Sequence, residues 1–417
     1  MKNKIINLLF RNIPKNLRHN FGINVLVMIF GGLFSGCYTP FYGVIAREQF
    51  HAGPFWIGLV FASMSITGIL GFAAAGMTRT GKEHIRAKYI HIFSSIFLIL
   101  SAFALNAPMF CILLFLFHLT ACYSPLEGSV YGYIYSLRDR GRMLGYSKTF
   151  ASVSSMAATI IAGMFINIKF YGINVWGIIF IFSGIMHILR GIAIGKFTLP
   201  SSENREKEAF GTFLKKSFYL IKERHNIILI ISGLLLSIGL NIFSTLYPMF
   251  QVDVLHINGR EVALMSVAGS VAIIFAYPIL GVRFSKNNPI KVWLWVYPLA
   301  LICPFFYIFC GRSWYPLILA NILNTAFTVI YDIGWLNLII YLGGTDRIKD
   351  YQAFYGLILG VRAIAGLFVS TWIIRYCEHL AFGTSLNLKC GFLTGVLFII
   401  ISMFTAFGLL KAKRRTE

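Results

Sequence analysis

The sequence is short of charge. Only 12% of its 417 residues are Asp, Glu, Lys or Arg, about half the share of a soluble globular chain. Acidic residues are scarcer still, 15 against 37 Lys and Arg. There is no P-loop, no Asp-rich motif and no Cys-x-x-Cys pair. Their absence removes the usual sequence signs of an ATP-driven machine, a diphosphate-binding transferase and a zinc or redox centre. No metal or other cofactor is expected. The N-terminal stretch is basic and lacks a short apolar run with a small-residue cleavage site, so no cleaved leader is expected. With 57% hydrophobic residues and a mean hydropathy of +0.74, the composition excludes a soluble enzyme, a disordered chain and a fibre.

What the sequence has is apolar length. A bilayer core about 30 Å thick needs about 20 mostly apolar residues as a helix. Twelve such stretches occur: 22–45, 55–76, 88–106, 108–137, 143–166, 172–195, 226–250, 261–282, 291–310, 314–342, 351–374 and 391–410. The ~10-residue alternating strands of a membrane barrel are not what is seen. Basic residues fall on one side of this pattern. Both ends and alternate connections hold 29 of the 37 cations, whereas the other connections hold only Arg47, Lys169, Arg260, Arg312, Arg375 and Lys389. The net charge of +22 therefore encodes orientation, not a nucleic-acid face. The expectation is a multi-pass protein, of a bacterial inner (plasma) membrane, with both termini cytoplasmic.

Five of the seven cysteines lie in spans, as small apolar residues. Cys377 and Cys390 flank the last outward connection, where a disulfide or two free thiols would both fit. The longest cytoplasmic connection is 196–225. It carries Phe210, Phe213, Leu214, Phe218 and Ile221 at helical spacing opposite Lys215, Lys216 and Lys222, a pattern for a helix on the inner leaflet. It divides the chain into six-span halves, 1–195 and 226–417. The halves can be laid on each other at an offset of 205, which matches Tyr42 with Tyr247, Gly76 with Gly281, Arg142 with Arg347 and Tyr146 with Tyr351. The informative match is Glu127 with Asp332, the two acidic residues placed deep in spans.

Six plus six spans, cytoplasmic ends, a basic central connection and duplicated halves together resemble the major facilitator superfamily. That family carries a G-x-x-x-D-R-x-G-R-R motif between helices 2 and 3. Here Gly76-Met77-Thr78-Arg79-Thr80-Gly81-Lys82 keeps Arg79, Gly81 and Lys82 but has Thr78 in place of the aspartate. The resemblance implies an all-α membrane protein of 12 transmembrane helices in two pseudo-symmetric six-helix bundles. It also implies a conformational role for Gly76, Arg79, Gly81, Lys82 and Arg142. Helix 5 lacks the proline of the family's drug antiporters.

An ionisable group near the bilayer centre costs about 2.5–3.5 kcal/mol on insertion scales, and so marks function by default. Arg190 lies six residues from Lys196 and is expected to snorkel to the cytoplasmic surface. Asp332 and Arg362 lie at similar depth on consecutive spans. Either they form an ion pair or Arg362 meets an anionic group of a substrate. Glu127 has Ala157, not a cation, at the position matching Arg362. It is expected to stand unpaired and to take up and release a proton near neutral pH, as a proton-coupled carrier requires. A permanently protonated carboxyl bonded to Tyr or Ser, or a long-range pair with Arg362, are the alternatives. His118 lies about 180° around the helix from Glu127, which points to a structural place, and His91 and His187 have no assigned partner.

At 100° per residue, Asn321, Asn324, Thr325, Thr328 and Asp332 share one side of span ten, and Thr120, Ser124, Glu127 and Tyr131 share one side of span four. Lipid offers such side chains no partners, so these stripes face protein or a pathway. In the resembled family helices 1, 4, 7 and 10 line the cavity, which adds Tyr38, Thr39, Tyr42, Asn241, Ser244, Thr245 and Tyr247, with Pro40 and Pro248 as hinges. The candidate proton-coupling residues are Glu127 and Asp332. The candidate substrate residues are Arg362, Tyr38, Tyr42, Tyr131, Asn241, Tyr247, Asn321, Asn324 and Thr328. The expected function is alternating-access transport of a small organic solute, coupled to protons as symport or antiport, by a monomer in the lipid bilayer. Proton-coupled drug or metabolite efflux, a transport-inactive sensor and a membrane-embedded enzyme are the competing readings.

Overall fold

The protein is seen in a computed structural model that describes residues 13–14, 17–77, 82–122, 124–135, 137–170, 173–199, 219–285, 287–311, 313–343, 348–379 and 383–413. The expected inner-leaflet helix around Phe210–Phe218, and Arg79 and Gly81, lie outside these residues.

Nearly all of the described chain is helical, and the helices group into twelve rods. Spans one to six are Arg18–Tyr38 with Tyr42–Glu48, Pro54–Met77, Glu83–Ser101, Ala107–Thr120 with Ser124–Ile134, Leu137–Phe165 and Val175–Ile194. Spans seven to twelve are Arg224–Asp253, Gly259–Ser285, the short helices from Pro289 to Phe309, Pro316–Gly343, Ile348–Glu378 and Thr384–Ala406 with Gly408–Lys413. Eight segments are long and apolar enough to cross a membrane by themselves, and Pro54–Leu70, Ala107–Thr120 and Pro316–Asp332 are shorter apolar helices. Large apolar side chains stand exposed on the periphery, among them Phe275, Ile279 and Trp372 at 63–69%. That surface suits lipid tails and not water.

Four rods are broken where the sequence reading had them continuous, span twelve at Phe407 near its end. Span one stops at Tyr38 and resumes at Tyr42, because Pro40 has no N–H to continue the ladder. Span four stops at Thr120 and resumes at Ser124, just before Pro125. Span nine is three short helices around Pro298 and Pro304. Pro248, by contrast, sits inside the continuous helix Arg224–Asp253, so the two expected hinges are not equivalent. Span five begins at Leu137, earlier than expected, and so Arg142 belongs to a helix and not to a connecting loop.

The packing repeats with a two-fold pattern. Span one packs on five and six as span seven packs on eleven and twelve, and two on four as eight on ten. The halves meet where span two lies along eleven and span five along eight. Small residues permit the close approach of span one to span five. A Cβ on Gly32 would land on the Ala151 carbonyl and the Ser154 hydroxyl, and one on Gly36 on the Ser155 carbonyl. The offset of 205 survives in the backbone. His51 and His256 both sit in the left-handed region, at φ 51° and 50°. After each, the next N–H reaches six residues back, Ala52 to Ala46 and Ile257 to Gln251, both at 2.9 Å. Toward the opposite end of spans one and seven the offset is 202: Asn24 and Asn226 are both buried and each bonds a tyrosine hydroxyl, of Tyr135 and Tyr355. The unbroken span seven holds the three extra residues, nearly one turn.

One end of the interface between halves is closed. Arg47 donates to both carboxylate oxygens of Asp253 at 2.6–3.0 Å, and Pro248 packs on Gly43 beside Phe61. Gly58 of span two meets Thr245 and Leu367 of the other half.

Candidate functional site

The most concentrated buried polar chemistry lies in the first half, among spans one, three, four and six. Glu127 is 8% exposed. Its Oε2 accepts from Arg190 Nη2 at 2.8 Å, and its Oε1 accepts from the same nitrogen at 3.1 Å and from His91 Nε2 at 2.7 Å. Two readings from sequence are corrected here. Glu127 is not unpaired, because its cation comes from span six and not from the position that matches Arg362. Arg190 does not snorkel. It lies against Gly31 of span one, its side chain 3.4 Å from where a Cβ would stand, an ordinary contact distance. A charge-assisted pair of this kind relieves part of the desolvation of both groups.

The network runs on. His91 Nδ1 meets His187 Nε2 at 3.0 Å, and Ser94 Oγ lies 3.4 Å from the same nitrogen. With the carboxylate accepting at Nε2, a neutral His91 is an acceptor at Nδ1 and His187 the donor; this tautomer follows from the hydrogen bonds. The His187 ring then packs on Phe34 at 4.4 Å and Phe117 at 5.5 Å. Beyond those rings, Tyr38 Oη lies 2.6 Å from His118 Nε2. His118 does not bond Glu127, as its helix position implied. The sequence offered no pairing for His91 or His187, because the three helices that bring them together are distant in sequence.

In the second half, Asp332 and Arg362 do not pair with each other. Asp332 is exposed, while Arg362 is 7% exposed and faces the phenols of Tyr297, Tyr331 and Tyr355. Rotation about the helix axes places the two charges in different surroundings. Glu127 and Asp332, matched at offset 205, are likewise not matched in environment.

Two adjoining cavities open along span one. One of about 230 Å³ is lined by Ser35, Thr39, Pro40, Ser155, Thr159, Ser266 and Ser270. It is shared by both halves. The other, about 260 Å³, is lined by Phe34, Tyr38, Thr39, Met64, Thr67, Phe117, His118 and Ala121. Of the nine candidate substrate residues, Tyr38 lines these cavities. Tyr42 packs between Tyr38 and Phe61, and Tyr131 packs on Phe197. Asn241 is turned to the Ser237 carbonyl beside Gly366, and Tyr247 is held between Tyr307 and Phe392. Asn321 bonds the Leu317 carbonyl, Asn324 accepts from Thr328 through its backbone carbonyl, and Thr325 reaches Gly269. Of the hydroxyl pairs Ser35/Thr39, Ser155/Thr159 and Ser266/Ser270, Thr39 was expected at the cavity and the other five residues were missed, although each pair has the i, i+4 spacing of one helix face. Several have given their proton to backbone: Ser35 to Gly32, Thr159 to Gly36 and Ser270 to Ser266. Their remaining lone pairs can accept from a donor-bearing solute. Among the described residues no group of His, Cys, Asp and Glu is arranged to hold a metal, and Cys377 and Cys390 are both free thiols. Of the motif residues, Lys82 is exposed, and the side-chain environments of Gly76 and Arg142 are not described.

Residues 24–366 match the family described as Major Facilitator Superfamily. No curated sequence matches the chain. Among solved structures, a mutant form of the nucleoside transporter NupG is similar at TM-score 0.74 and 12% identity, over 93% of this chain and 99% of that one. A bacterial homolog of the human lysosomal transporter Spinster, inward-facing and occupied, gives 0.68 and 13%, over 94% and 97%. A mutant form of the E. coli fucose:proton symporter FucP gives 0.59 and 14%, over 95% and 99%. At these identities the likeness is one of fold.

Proposed function

The chain belongs to the major facilitator superfamily, and from that premise we propose that it is a proton-coupled transporter moving a small organic solute by alternating access. It is a multi-pass membrane protein of a family whose neighbours in structure are transporters of nucleosides, sugars and peptides. The positive-inside distribution supports cytoplasmic termini, in a bacterial inner membrane. On that orientation the closed Arg47–Asp253 end is the outer one, as an inward-facing carrier requires.

The observation that carries the coupling is Glu127 held between Arg190 and His91. Protonating this carboxylate removes the charge that holds Arg190, and so changes how spans one, four and six fit together. His91 and His187 give the proton a hydrogen-bonded path of three groups. The path ends at Phe34 and Phe117, which also wall the cavity lined by Tyr38 and His118. Solute binding and protonation thus act on the same helices, which is the physical requirement for coupling. The hydroxyl-lined cavity between the halves supplies the solute site, favouring molecules with several hydroxyl or amine donors. In this reading Asp332 has no part in coupling.

The test is transport in proteoliposomes loaded with a nucleoside, D-xylose, fucose or a dipeptide. Glu127→Gln is expected to abolish accumulation driven by a pH gradient while leaving exchange of solute across the membrane. Continued accumulation by the variant would place coupling elsewhere. Absence of any flux by the wild-type chain with every class would favour a sensor.

A further inference from the structure

The second half holds a buried cation without a counter-ion. Arg362 is 7% exposed and, among the described residues, makes no hydrogen bond and no ion pair; its Nε is sealed from solvent. Its five N–H donors look onto three phenols, of Tyr297, Tyr331 and Tyr355. The Tyr355 hydroxyl donates its proton to Asn226. On the other side lies Gly233, at the position of span seven that corresponds to Gly31 in span one. Each glycine lies beside an arginine, but only at Gly233 would a side chain collide with the guanidinium. The partners differ too. Arg190 is neutralised by Glu127, whereas Arg362 has phenols around it and Asp332 stands exposed.

Two more buried donors stand beside this arginine without well-formed hydrogen bonds. They are the Trp293 indole Nε1–H and the Tyr297 hydroxyl, one turn apart on span nine. The Trp293 ring lies 5.5 Å from that of Tyr331 and 5.3 Å from that of Trp335, which stacks edge-on against Tyr355. Guanidinium and indole only donate, and a phenol donates as readily as it accepts. The Tyr297 hydroxyl lies near the Trp293 indole and the Ser232 and Ser402 hydroxyls, but the guanidinium has no counter-ion among the described residues, and a buried cluster of net positive charge has the chemistry of an anion receptor. A planar fork of N–H groups fits an oxyanion, carboxylate or phosphate, better than a halide.

We propose that Arg362, with Trp293 and Tyr297, forms an oxyanion site in the second half and that the transported solute carries the carboxylate or phosphate it takes. This rests on the transporter reading above, and it adds the substrate class. The anion would complete in the second half the neutralisation that Glu127 performs in the first. Loading the carrier then removes an electrostatic cost, and the empty carrier retains it.

The experiment is thermal unfolding of the full chain in maltoside micelles, titrated with sodium phosphate, acetate and chloride, and separately with phosphatidylglycerol. Phosphate and acetate are expected to raise the unfolding temperature saturably, with chloride weaker. Arg362→Gln is expected to weaken the phosphate effect at least tenfold. Arg362→Lys is expected to keep part of the affinity but lose the preference over chloride. Trp293→Phe, which keeps the aromatic packing, is expected to weaken it a few-fold. Equal phosphate titration of wild type and Arg362→Gln would overturn the site. Protection by phosphatidylglycerol that phosphate does not displace would overturn the solute assignment in favour of a lipid headgroup. Glu127→Gln is expected to titrate like wild type, so a failure of proton coupling and a failure of this site read out separately.

Discussion

Replacing Arg190 by glutamine isolates the strongest electrostatic link in the first half. In the wild type Glu127 has three short contacts, two from Arg190 Nη2 and one from His91. Both side chains of the pair are nearly enclosed, at 15% and 10% exposure. Breaking a buried pair by removing one partner costs about 3–5 kcal/mol, because the remaining charge is left in a poor solvent. His91 stays in place and can share the carboxylate's charge, so the lower end, about 3 kcal/mol, is expected for Arg190→Gln. Glu127→Gln strands Arg190 in the same way and is expected to cost a similar amount. The double variant places two amides where the ion pair was, and amides satisfy each other by hydrogen bonds. It should therefore lose about 2 kcal/mol less than the sum of the single losses, within the range that coupled neighbours show. The assay is reversible unfolding of the full chain in mixed micelles, comparing the four proteins at one pH. Additivity within about 0.5 kcal/mol would refute the pairing, and with it the account of how protonation moves span six.

The closed end yields to a second cycle. Arg47 and Asp253 are about one-fifth exposed, so the pair is worth about 1 kcal/mol, and Arg47→Ala should raise the open fraction at that end about fivefold. Labelling of a cysteine introduced at Tyr42 by an impermeant thiol reagent reads this, and the exchange Arg47→Asp with Asp253→Arg should restore protection. Gly36→Leu is expected to prevent proper assembly of the first half, since its side chain meets the Ser155 carbonyl and not a flexible end; yield of monodisperse protein measures it. At φ 51°, His51→Val should cost about 1–2 kcal/mol and His51→Gly close to nothing, read as shifts in unfolding midpoint. Cys377 and Cys390 should both take up an alkylating reagent without prior reduction, as intact-mass measurement shows.

The all-helical membrane fold and its twelve rods were legible, because each span depends on a sum over about 20 residues that local errors do not disturb. Breaks were less legible. Pro40 interrupts its helix and Pro248 does not, since neighbouring helices decide whether a missing N–H is tolerated. Counting residues placed Glu127, Asp332 and Arg362 inside helices, yet it did not give their partners. Pairing depends on rotation about each axis and on which helix lies next to it. Arg190 is the clear case. Counting put it near a surface, while packing against Gly31 turned it inward onto Glu127. The cavity hydroxyls had a visible i, i+4 signature on spans one, five and eight, but aromatic and amide residues drew the reading elsewhere.

The paired left-handed turns at His51 and His256 carry a historical consequence. A backbone conformation that ordinary residues avoid, with the same histidine and the same 2.9 Å closure 205 positions apart, is the trace of one ancestral segment that was copied. Since that copying, the rim has stayed constant while the interior has been rewritten. In the first half Glu127 is held by an arginine and a histidine, while its counterpart Asp332 stands exposed and the second half keeps Arg362 among phenols. Two similar frames thus enclose different charges, and the halves of the molecule are electrically unequal.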